Sequence, residues 1–218
     1  MISIIIPYKL DDGFRDVNFK FTYNYYHKLF PDAEIIIGKD TSGEDCFCRS
    51  HSINDGVKKS TGDVLVLLDG DVLISKTALD QAINEIVEER FIIPWGKCID
   101  ISRQATNLLI NNHNPPKEII ELNPIMIRDI RPGTSPGEPK SAGGLQIITR
   151  ELYNENPYDN RMIGWGFEDA LFCRQIKKKL GDYKIYPDVT IYHLYHPRPE
   201  CNWDNYHLYN KLIKGELN

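Results

Sequence analysis

Residues 64 to 71 read VLVLLDGD: five apolar residues, then Asp69 and Asp71 on either side of Gly70. A continuous apolar run of this length is typical of a strand that is buried on both faces of a sheet. The run ends at a polar turn, and ligands of parallel sheets bind beyond the carboxyl ends of the strands. This stretch therefore predicts a parallel sheet, and it predicts that the ligand-binding residues lie at the edge of the sheet where Asp69 and Asp71 are.

Strand-like and helix-like segments alternate on both sides of this stretch. Strands are predicted over residues 2–6, 34–37, 64–68, 91–93, 145–149, 184–186 and 190–192, with the first three buried in the sheet. Helices are predicted over residues 14–30, 47–59, 76–89, 167–180 and 203–213. Alternation with short links indicates parallel strands, right-handed crossovers and helices on both faces. We expect a single α/β domain with a mostly parallel, twisted sheet flanked by helices.

Residues 95–140 do not continue the alternation. They contain two turn-rich stretches, NNHNPP at 111–116 and RPGTSPGE at 131–138. Such stretches are not periodic, and a long loop in a compact domain commonly has a binding role. We therefore divide the domain into residues 1–94, an irregular loop region over 95–140, and residues 141–218.

The bulk composition narrows the class of protein. The length of 218 residues suits one domain. The net charge of −5 does not favour non-specific binding of nucleic acids, which requires an excess of positive charge. No signal peptide is visible, and no apolar run approaches the roughly 20 residues that cross a bilayer, so we expect no integral membrane contact. The five cysteines are odd in number and irregularly placed, which favours reduced thiols and a cytoplasmic location.

Asp69 and Asp71 form the first candidate site. Two carboxylates one residue apart offer hard oxygen ligands to a divalent cation. A cation there can bridge the phosphates of a nucleoside diphosphate and neutralise the charge that develops as it departs. Taken alone, such a pair is more often a solvated acidic turn. Its position at the end of a buried strand favours the metal site.

The second candidate is GWGFED at residues 164–169. Gly164 and Gly166 permit close approach of the backbone to a ligand, and Trp165 offers a flat face for a sugar ring. Glu168 and Asp169 fall where the next helix begins, so the helix dipole acts on their carboxylates. The alternative for this stretch is a structural helix cap.

The third candidate is YHLYHP at residues 192–197. Neutral imidazole is a common ligand of divalent metals, and a distant loop can bring His193 or His196 to the aspartate pair. Histidines in an aromatic stretch also serve in packing or lie on the surface. That alternative stays open for each histidine alone.

The order of these motifs resembles that in a known family. IIIPYK at 4–9 comes first, then Arg49 with NDG at 54–56, then DGD, and finally SAGG at 141–144 before GWGFED. These signatures are similar to those of the β-1,4-galactosyltransferases and of the catalytic domains of polypeptide N-acetylgalactosaminyltransferases, which are GT-A glycosyltransferases. The interval from Glu168 to His193 is similar to that between the Glu and the metal-binding His of the second group. The resemblance spans nearly the whole chain except 95–140.

The resemblance implies a metal-dependent transfer of a sugar from a nucleotide-diphosphate sugar, with UDP as the expected nucleotide, to an acceptor hydroxyl. Residues 1–94 would bind the nucleotide sugar, and residues 141–218 would bind the acceptor and carry catalysis. We expect the region 95–140 to form part of the acceptor wall. A glycan is the expected acceptor, while a small glycoside, a protein side chain and a modified DNA base stay open.

The resemblance also implies roles for single residues. The expected metal site binds Mn²⁺ or Mg²⁺ through Asp69, Asp71 and His193. His196 is the alternative histidine, and Asp69 would reach a metal-bound water or the ribose. Asp169 would be the general base of an inverting transfer, and Glu168 would hold sugar hydroxyls. The expected nucleotide-sugar site comprises Pro7, Tyr8, Lys9, Asp40, Arg49, Asp69, Gly70, Gly144, Trp165 and Gly166.

Two departures from the galactosyltransferase pattern concern specificity. Phe167 replaces a glycine and Ala170 an acid of its Gly-Gly-Glu-Asp-Asp motif. They leave the donor sugar open. The stereochemistry is open as well, because the two resembling groups include one inverting and one retaining reaction. The chain shows no anchor, stem or disulfides of the galactosyltransferases, so a cytosolic bacterial or viral relative is expected.

Two other functions would use similar parts. A nucleotidyltransferase also combines a parallel sheet with a divalent metal, but PYKLDD at 7–12 is not the glycine-rich basic loop that holds a triphosphate. A non-catalytic carbohydrate-binding relative would be expected to lack one of the acids at 69, 71, 168 and 169, and all four are present. Dehydrogenase and P-loop NTPase functions are disfavoured, because neither glycine fingerprint occurs.

Overall fold

The computed structural model of the protein describes residues 1–112, 127–132, 143–198 and 200–217. Its strands are β1 (Ile2–Tyr8), β2 (Glu34–Lys39), β3 (Val64–Leu68), β4 (Val72–Leu73), β5 (Phe91–Ile93), β6 (Lys97–Ile101), β7 (Ile127–Pro132), β8 (Leu145–Thr149), β9 (Lys184–Ile185) and β10 (Thr190–His193). Its helices are α1 (Phe14–Leu29), α2 (Arg49–Lys59), α3 (Lys76–Glu89), α4 (Arg103–Asn112), α5 (Arg150–Glu155), α6 (Glu168–Leu180) and α7 (Trp203–Lys214). Within these ranges, none of the helices has the length and apolar character needed to span a bilayer.

The central sheet has six strands in the order β2-β1-β3-β8-β5-β9. Strand β1 pairs in parallel with β2 and β3, and β5 pairs in parallel with β9, whereas β8 runs antiparallel to both neighbours. Residues 4–6 and 65–68 are at most 1% exposed, so β1 and β3 lie at the centre of the core. The mixed α/β architecture with a mostly parallel sheet confirms the predicted fold class.

Strand β2 differs from its prediction. It was predicted to be buried in the sheet, but it is the edge strand of the sheet, and Ile37 is 37% exposed. An apolar run shows that a segment can be a strand, but it does not show whether a second strand pairs with its far side.

A second sheet has the order β4-β10-β6-β7. Strand β10 pairs antiparallel with β4 and parallel with β6, which brings His193 into register with both Val72 and Asp100. Strands β6 and β7 and helix α4 lie where an irregular region was predicted, so that prediction is wrong for residues 97–101, 103–112 and 127–132. Lys97 and Asp100 interrupt the apolar pattern of the strand. Residues 113–126 and 133–142, which hold most of the two turn-rich stretches, lie outside the described residues.

Close glycine contacts seat helix α2 against the sheet. A Cβ atom on Gly38 would overlap the backbone carbonyl of Ser52, and one on Gly56 would lie 2.5 Å from Ile5 Cγ2. The absence of side chains at these two positions lets the helix lie directly on β1 and β2. The helix begins at Arg49, which is therefore held close to the carboxyl ends of the strands.

Candidate active site

A cavity of about 380 Å³ lies beyond the carboxyl ends of β1 and β3. Nine of the ten residues predicted for the nucleotide-sugar site line it, namely Pro7, Tyr8, Lys9, Arg49, Asp69, Gly70, Gly144, Trp165 and Gly166. The predicted metal and catalytic residues line it as well, namely Asp71, Glu168, Asp169, His193 and His196. Residues from both ends of the chain thus meet at the edge of the sheet where parallel-sheet ligands bind.

Asp40 is the exception among the predicted residues, because it does not line the cavity. Its carboxylate accepts hydrogen bonds from the backbone N–H groups of Ser42 (2.9 Å) and Cys48 (2.8 Å). These bonds shape the loop that leads into α2. They explain why the helix begins at Arg49 rather than at the predicted residue 47.

Asp71, His193 and His196 form a cluster that can hold a metal ion. Each offers one ligand atom, and these atoms lie within 4.8 Å of one another. His196 Nε2 is 3.1 Å from Asp71 Oδ2, and His193 Nε2 is 3.6 Å from Asp71 Oδ1. Burial alone would raise the pKa of Asp71, but the two histidines outweigh it and hold the pKa well below its usual range. One carboxylate oxygen and two imidazole nitrogens fit a divalent transition metal.

The surroundings orient both imidazole rings. His196 Nδ1 lies 2.7 Å from the Pro197 carbonyl oxygen and can donate a proton to it, and a neutral ring in that tautomer would offer the Nε2 lone pair to a cation. His193 Nδ1 lies 2.9 Å from Asp100 Oδ1, outside hydrogen-bond alignment, so this contact is electrostatic. A negative charge behind the ring favours the orientation in which Nε2 faces Asp71.

Asp69 is not part of this cluster, and its role as a metal ligand beside Asp71 stays a prediction. Its Oδ1 atom accepts a hydrogen bond of 2.7 Å from Arg49 Nε. The turn after β3 is closed by a 3.2 Å hydrogen bond from the Val72 N–H to the Asp69 carbonyl, and the two carboxylates take different partners. His196, the alternative ligand in the sequence prediction, completes the cluster together with His193.

Asp169 is held by a buried network. Its Oδ1 atom accepts hydrogen bonds from Arg49 Nη1 (2.6 Å) and from the Tyr158 hydroxyl (2.5 Å). Gln146 Nε2 lies 3.4 Å from the same oxygen. The other oxygen, Oδ2, lies so close to Gly143 that a Cβ atom there would overlap it. Burial raises the pKa of Asp169, although the charge of Arg49 opposes the shift.

Glu168 begins helix α6 and is buried beside Asp169. Its Oε2 atom accepts a 2.9 Å hydrogen bond from the Gly166 N–H. Burial, assisted by the negative charge of Asp169, raises the pKa of Glu168 to about 7. A carboxyl group with that pKa exchanges a proton near neutral pH, which makes Glu168 an additional titratable group of the cavity.

An aromatic wall closes the side of the cavity next to β1. Tyr8 stacks on Phe19 with ring centroids 4.1 Å apart, and its hydroxyl donates a 2.5 Å hydrogen bond to Asp16. Lys9 Nζ donates to the Asp45 carbonyl at 2.7 Å, which ties β1 to the loop before α2. A stacked, anchored ring pair offers a rigid apolar face to a planar ligand.

Sequence reasoning missed several residues of the site. Asp100 pairs with Arg198, which lines the cavity, while Tyr158 and Gln146 hold Asp169. Two of them carry a signal in the sequence, because Asp100 and Gln146 are polar residues inside short apolar strands and are fully buried. A buried polar residue requires a partner. Tyr158 and Arg198 lie in loops and carry no such local signal.

No protein-family model matches the sequence, and no curated protein matches it. Solved structures match by fold. A Drosophila β1,4-galactosyltransferase 7 catalytic domain in complex with xylobiose aligns with a TM-score of 0.57 and 14% identity over 96% of this chain and 79% of that chain. S. aureus TarS 1–349 in complex with UDP-GlcNAc aligns with a TM-score of 0.60 and 14% identity over 99% and 66%.

A third solved structure is more distant in shape. The mannosyltransferase PcManGT from Pyrobaculum calidifontis, in complex with GDP-Man and Mn²⁺, aligns with a TM-score of 0.51 and 14% identity over 96% of this chain and 60% of that chain. The chain thus spans less than two thirds of the length of PcManGT and about two thirds of the TarS structure. The fold is similar to that of the catalytic domains of these glycosyltransferases, in agreement with the fold predicted from the sequence.

Proposed function

We propose that this protein is a metal-dependent glycosyltransferase that moves a sugar from a nucleotide-diphosphate sugar to a hydroxyl group of a carbohydrate. The observation that carries this proposal is the meeting of a metal-binding cluster and a buried Arg–Asp network in one cavity of a GT-A fold. TarS was solved with UDP-GlcNAc, and the Drosophila enzyme with manganese, UDP-Gal and xylobiose. These ligands support a UDP-sugar as the donor and a glycan as the acceptor.

Asp71, His193 and His196 would hold the cation. Imidazole ligands suit transition metals better than Mg²⁺, so the donor set favours Mn²⁺. When bound, the cation would neutralise the charge of the departing nucleoside diphosphate. Asp100 would keep His193 oriented, and Asp69, paired with Arg49, would sit beside the ribose or a metal-bound water.

Asp169 would act as the general base of an inverting transfer. Its Oδ1 atom is occupied by Arg49 and Tyr158, which leaves Oδ2 to accept the proton of the acceptor hydroxyl. The acceptor oxygen then bonds to the anomeric carbon as the bond to the diphosphate breaks. A pKa above the ordinary range strengthens Asp169 as a base at neutral pH.

The remaining residues divide between donor and acceptor. Tyr8 and Lys9 from the N-terminal half would contact the nucleoside, and Gly144 would let the backbone approach the donor sugar. Trp165 is 42% exposed at the cavity and would stack on a sugar ring. On this basis residues 1–94 form the nucleotide half and the described residues from 143 onward form the acceptor half.

Thermal unfolding tests the proposal. UDP should raise the melting temperature of the metal-free protein only when Mn²⁺ or Mg²⁺ is added, because a ligand of the native state stabilises it by mass action. Asp71→Ala should abolish this shift. Asp169→Asn should retain it, while transfer from a panel of UDP-sugars falls by roughly 10²–10⁴-fold, the usual contribution of acid–base catalysis. An equal UDP shift in the presence of a chelator contradicts the metal site.

A further inference from the structure

Helix α7 extends the aromatic rim of the cavity. Phe167 lines the cavity, and its ring centroid lies 5.2 Å from that of Tyr206, 6.0 Å from Tyr209 and 6.3 Å from Trp203. Trp203 is 65% exposed and Tyr206 is 40% exposed. We call these four residues the aromatic surface. Contiguous exposed apolar groups of this kind mark binding sites more often than isolated ones do.

The aromatic surface is held firmly against the GWG loop. Asn205, only 2% exposed, donates hydrogen bonds to the carbonyls of Ile163 (3.0 Å) and Gly166 (2.8 Å) and accepts one from the Ile163 N–H (3.1 Å). The Asn202 N–H donates to the Trp165 carbonyl at 2.8 Å. A buried amide with all these bonds fixes the helix relative to the loop that carries Trp165.

Phe167 has a backbone conformation that is unfavourable for a bulky residue. Its φ angle is +68°, in the left-handed region that a bulky side chain rarely adopts. Such strain costs on the order of 1–3 kcal/mol and persists where the surrounding structure holds it. In this conformation the ring of Phe167 lies next to the aromatic side chains of α7. A glycine would adopt the same backbone conformation without strain, but it would provide no ring.

We infer that the aromatic surface is a second acceptor subsite, which binds the sugar unit next to the one that receives the transferred sugar. This inference rests on the proposed function. Flat rings present apolar faces to the C–H side of a pyranose, and the hydroxyls of Tyr206 and Tyr209 can bond its hydroxyl groups. Phe167 belongs both to the cavity lining and to the aromatic surface, so a disaccharide that reaches the cavity would lie along the surface.

The charges near the surface favour a neutral sugar over a phosphate-bearing partner. Asp204 is exposed in the first turn of α7. Its carboxylate repels phosphate groups of nucleic acids and of anionic lipids. Lys211 and Lys214 lie at the far end of the helix, away from the cavity rim.

Saccharide titrations test the inference. Methyl β-glycosides of glucose, galactose, N-acetylglucosamine and xylose, each as mono-, di- and trisaccharide, are titrated by calorimetry into protein saturated with UDP and Mn²⁺. At least one disaccharide should bind more tightly than its monosaccharide. Trp203→Ala should weaken that disaccharide by about tenfold, as expected for a stacking Trp, and should leave monosaccharide affinity within about twofold. Trp203→Phe should restore most of the affinity.

Val87→Ala is the matched control, since Val87 is a 76% exposed apolar residue on α3 outside the cavity lining. The UDP shift with Mn²⁺ and the melting temperature of each variant show separately whether the donor site and the fold are intact. If UDP and Mn²⁺ bind but no disaccharide gains affinity over its monosaccharide, the subsite is ruled out. It is equally ruled out if Trp203→Ala keeps the gain, or if Trp203 fluorescence responds only to phosphatidylglycerol vesicles. Absence of any UDP shift would instead contradict the proposed function.

Discussion

At the residue scale, Arg49 joins the two acidic motifs of the cavity. Its guanidinium lies 2.7 Å from Asp69 and 2.6 Å from Asp169, and all three side chains belong to segments far apart in sequence. A planar guanidinium can serve two carboxylates at once, which a lysine ammonium does not do with the same geometry. The charge of Arg49 therefore compensates the two acids that the cavity brings together.

Asp100 is the residue whose charge we expect to support metal binding by His193. It is fully buried, paired with Arg198, and its Oδ1 atom lies 2.9 Å behind His193. Asp100→Asn keeps the size of the side chain but removes the charge that orients the imidazole. We expect the affinity for Mn²⁺ to fall by about 10- to 100-fold, the usual effect of losing such a partner. Electron paramagnetic resonance of free Mn²⁺ measures the change.

Asp188→Asn is the control for this variant, because Asp188 is an exposed acid just before β10. It should bind Mn²⁺ like the wild-type protein. Equal affinities of the Asp100 and Asp188 variants, with both folded by circular dichroism, would show that Asp100 does not support the metal ligands.

At the element scale, the position of α2 depends on two glycines. The side chain of Arg49 reaches Asp69 and Asp169 only because α2 lies directly on β1 and β2. Gly38 faces the Ser52 carbonyl, a backbone atom that cannot move without the whole helix. The packing of this one helix thus sets the geometry of the cavity.

Gly38→Ala tests this dependence. The added methyl group overlaps backbone, so we expect a loss of about 3 kcal/mol in the free energy of unfolding, at the upper end of overpacking effects. Gly13→Ala is the control, because its nearest contact would be an ordinary 3.5 Å. Urea unfolding at neutral pH compares the two variants. A similar small loss in both would mean that α2 can shift without strain.

At the scale of the whole molecule, the cluster that can hold a metal ion joins parts of the chain that are distant in sequence. Asp71 follows the third strand, whereas His193 and His196 lie beyond residue 190, and the pairing of β4 with β10 brings them together. A cation bound there links the first and last parts of the described chain. Its binding energy should therefore oppose unfolding of the entire domain rather than of one loop.

Urea unfolding with and without Mn²⁺ examines this coupling. At 100 times its dissociation constant, Mn²⁺ should raise the free energy of unfolding by about 2.7 kcal/mol. Far-ultraviolet circular dichroism and tryptophan fluorescence, to which the buried Trp95 contributes, should show the same rise. Asp71→Ala should remove it. A rise seen by only one of the two probes would mean that the cation stabilises a part of the chain alone.

The sequence by itself determined the local parts of this protein. The apolar runs at 2–6 and 64–68, the turns that follow them and the order of the motifs are local properties, because burial periodicity and turn chemistry act over a few residues. They were enough to predict the fold class and the edge of the sheet that bears the cavity, whereas most of the predicted lining residues came from the resemblance to GT-A glycosyltransferases.

Only the tertiary structure decided which of these residues act together. The pairing of Asp69 with Arg49 depends on how α2 lies against β1 and β2. The place of His196 beside Asp71 and the position of Asp100 behind His193 depend on β4, β6 and β10 meeting in one sheet. The edge position of β2 likewise depends on which strands pair with each other. Strand pairing joins residues more than 100 positions apart, and no local pattern records which strands will be neighbours.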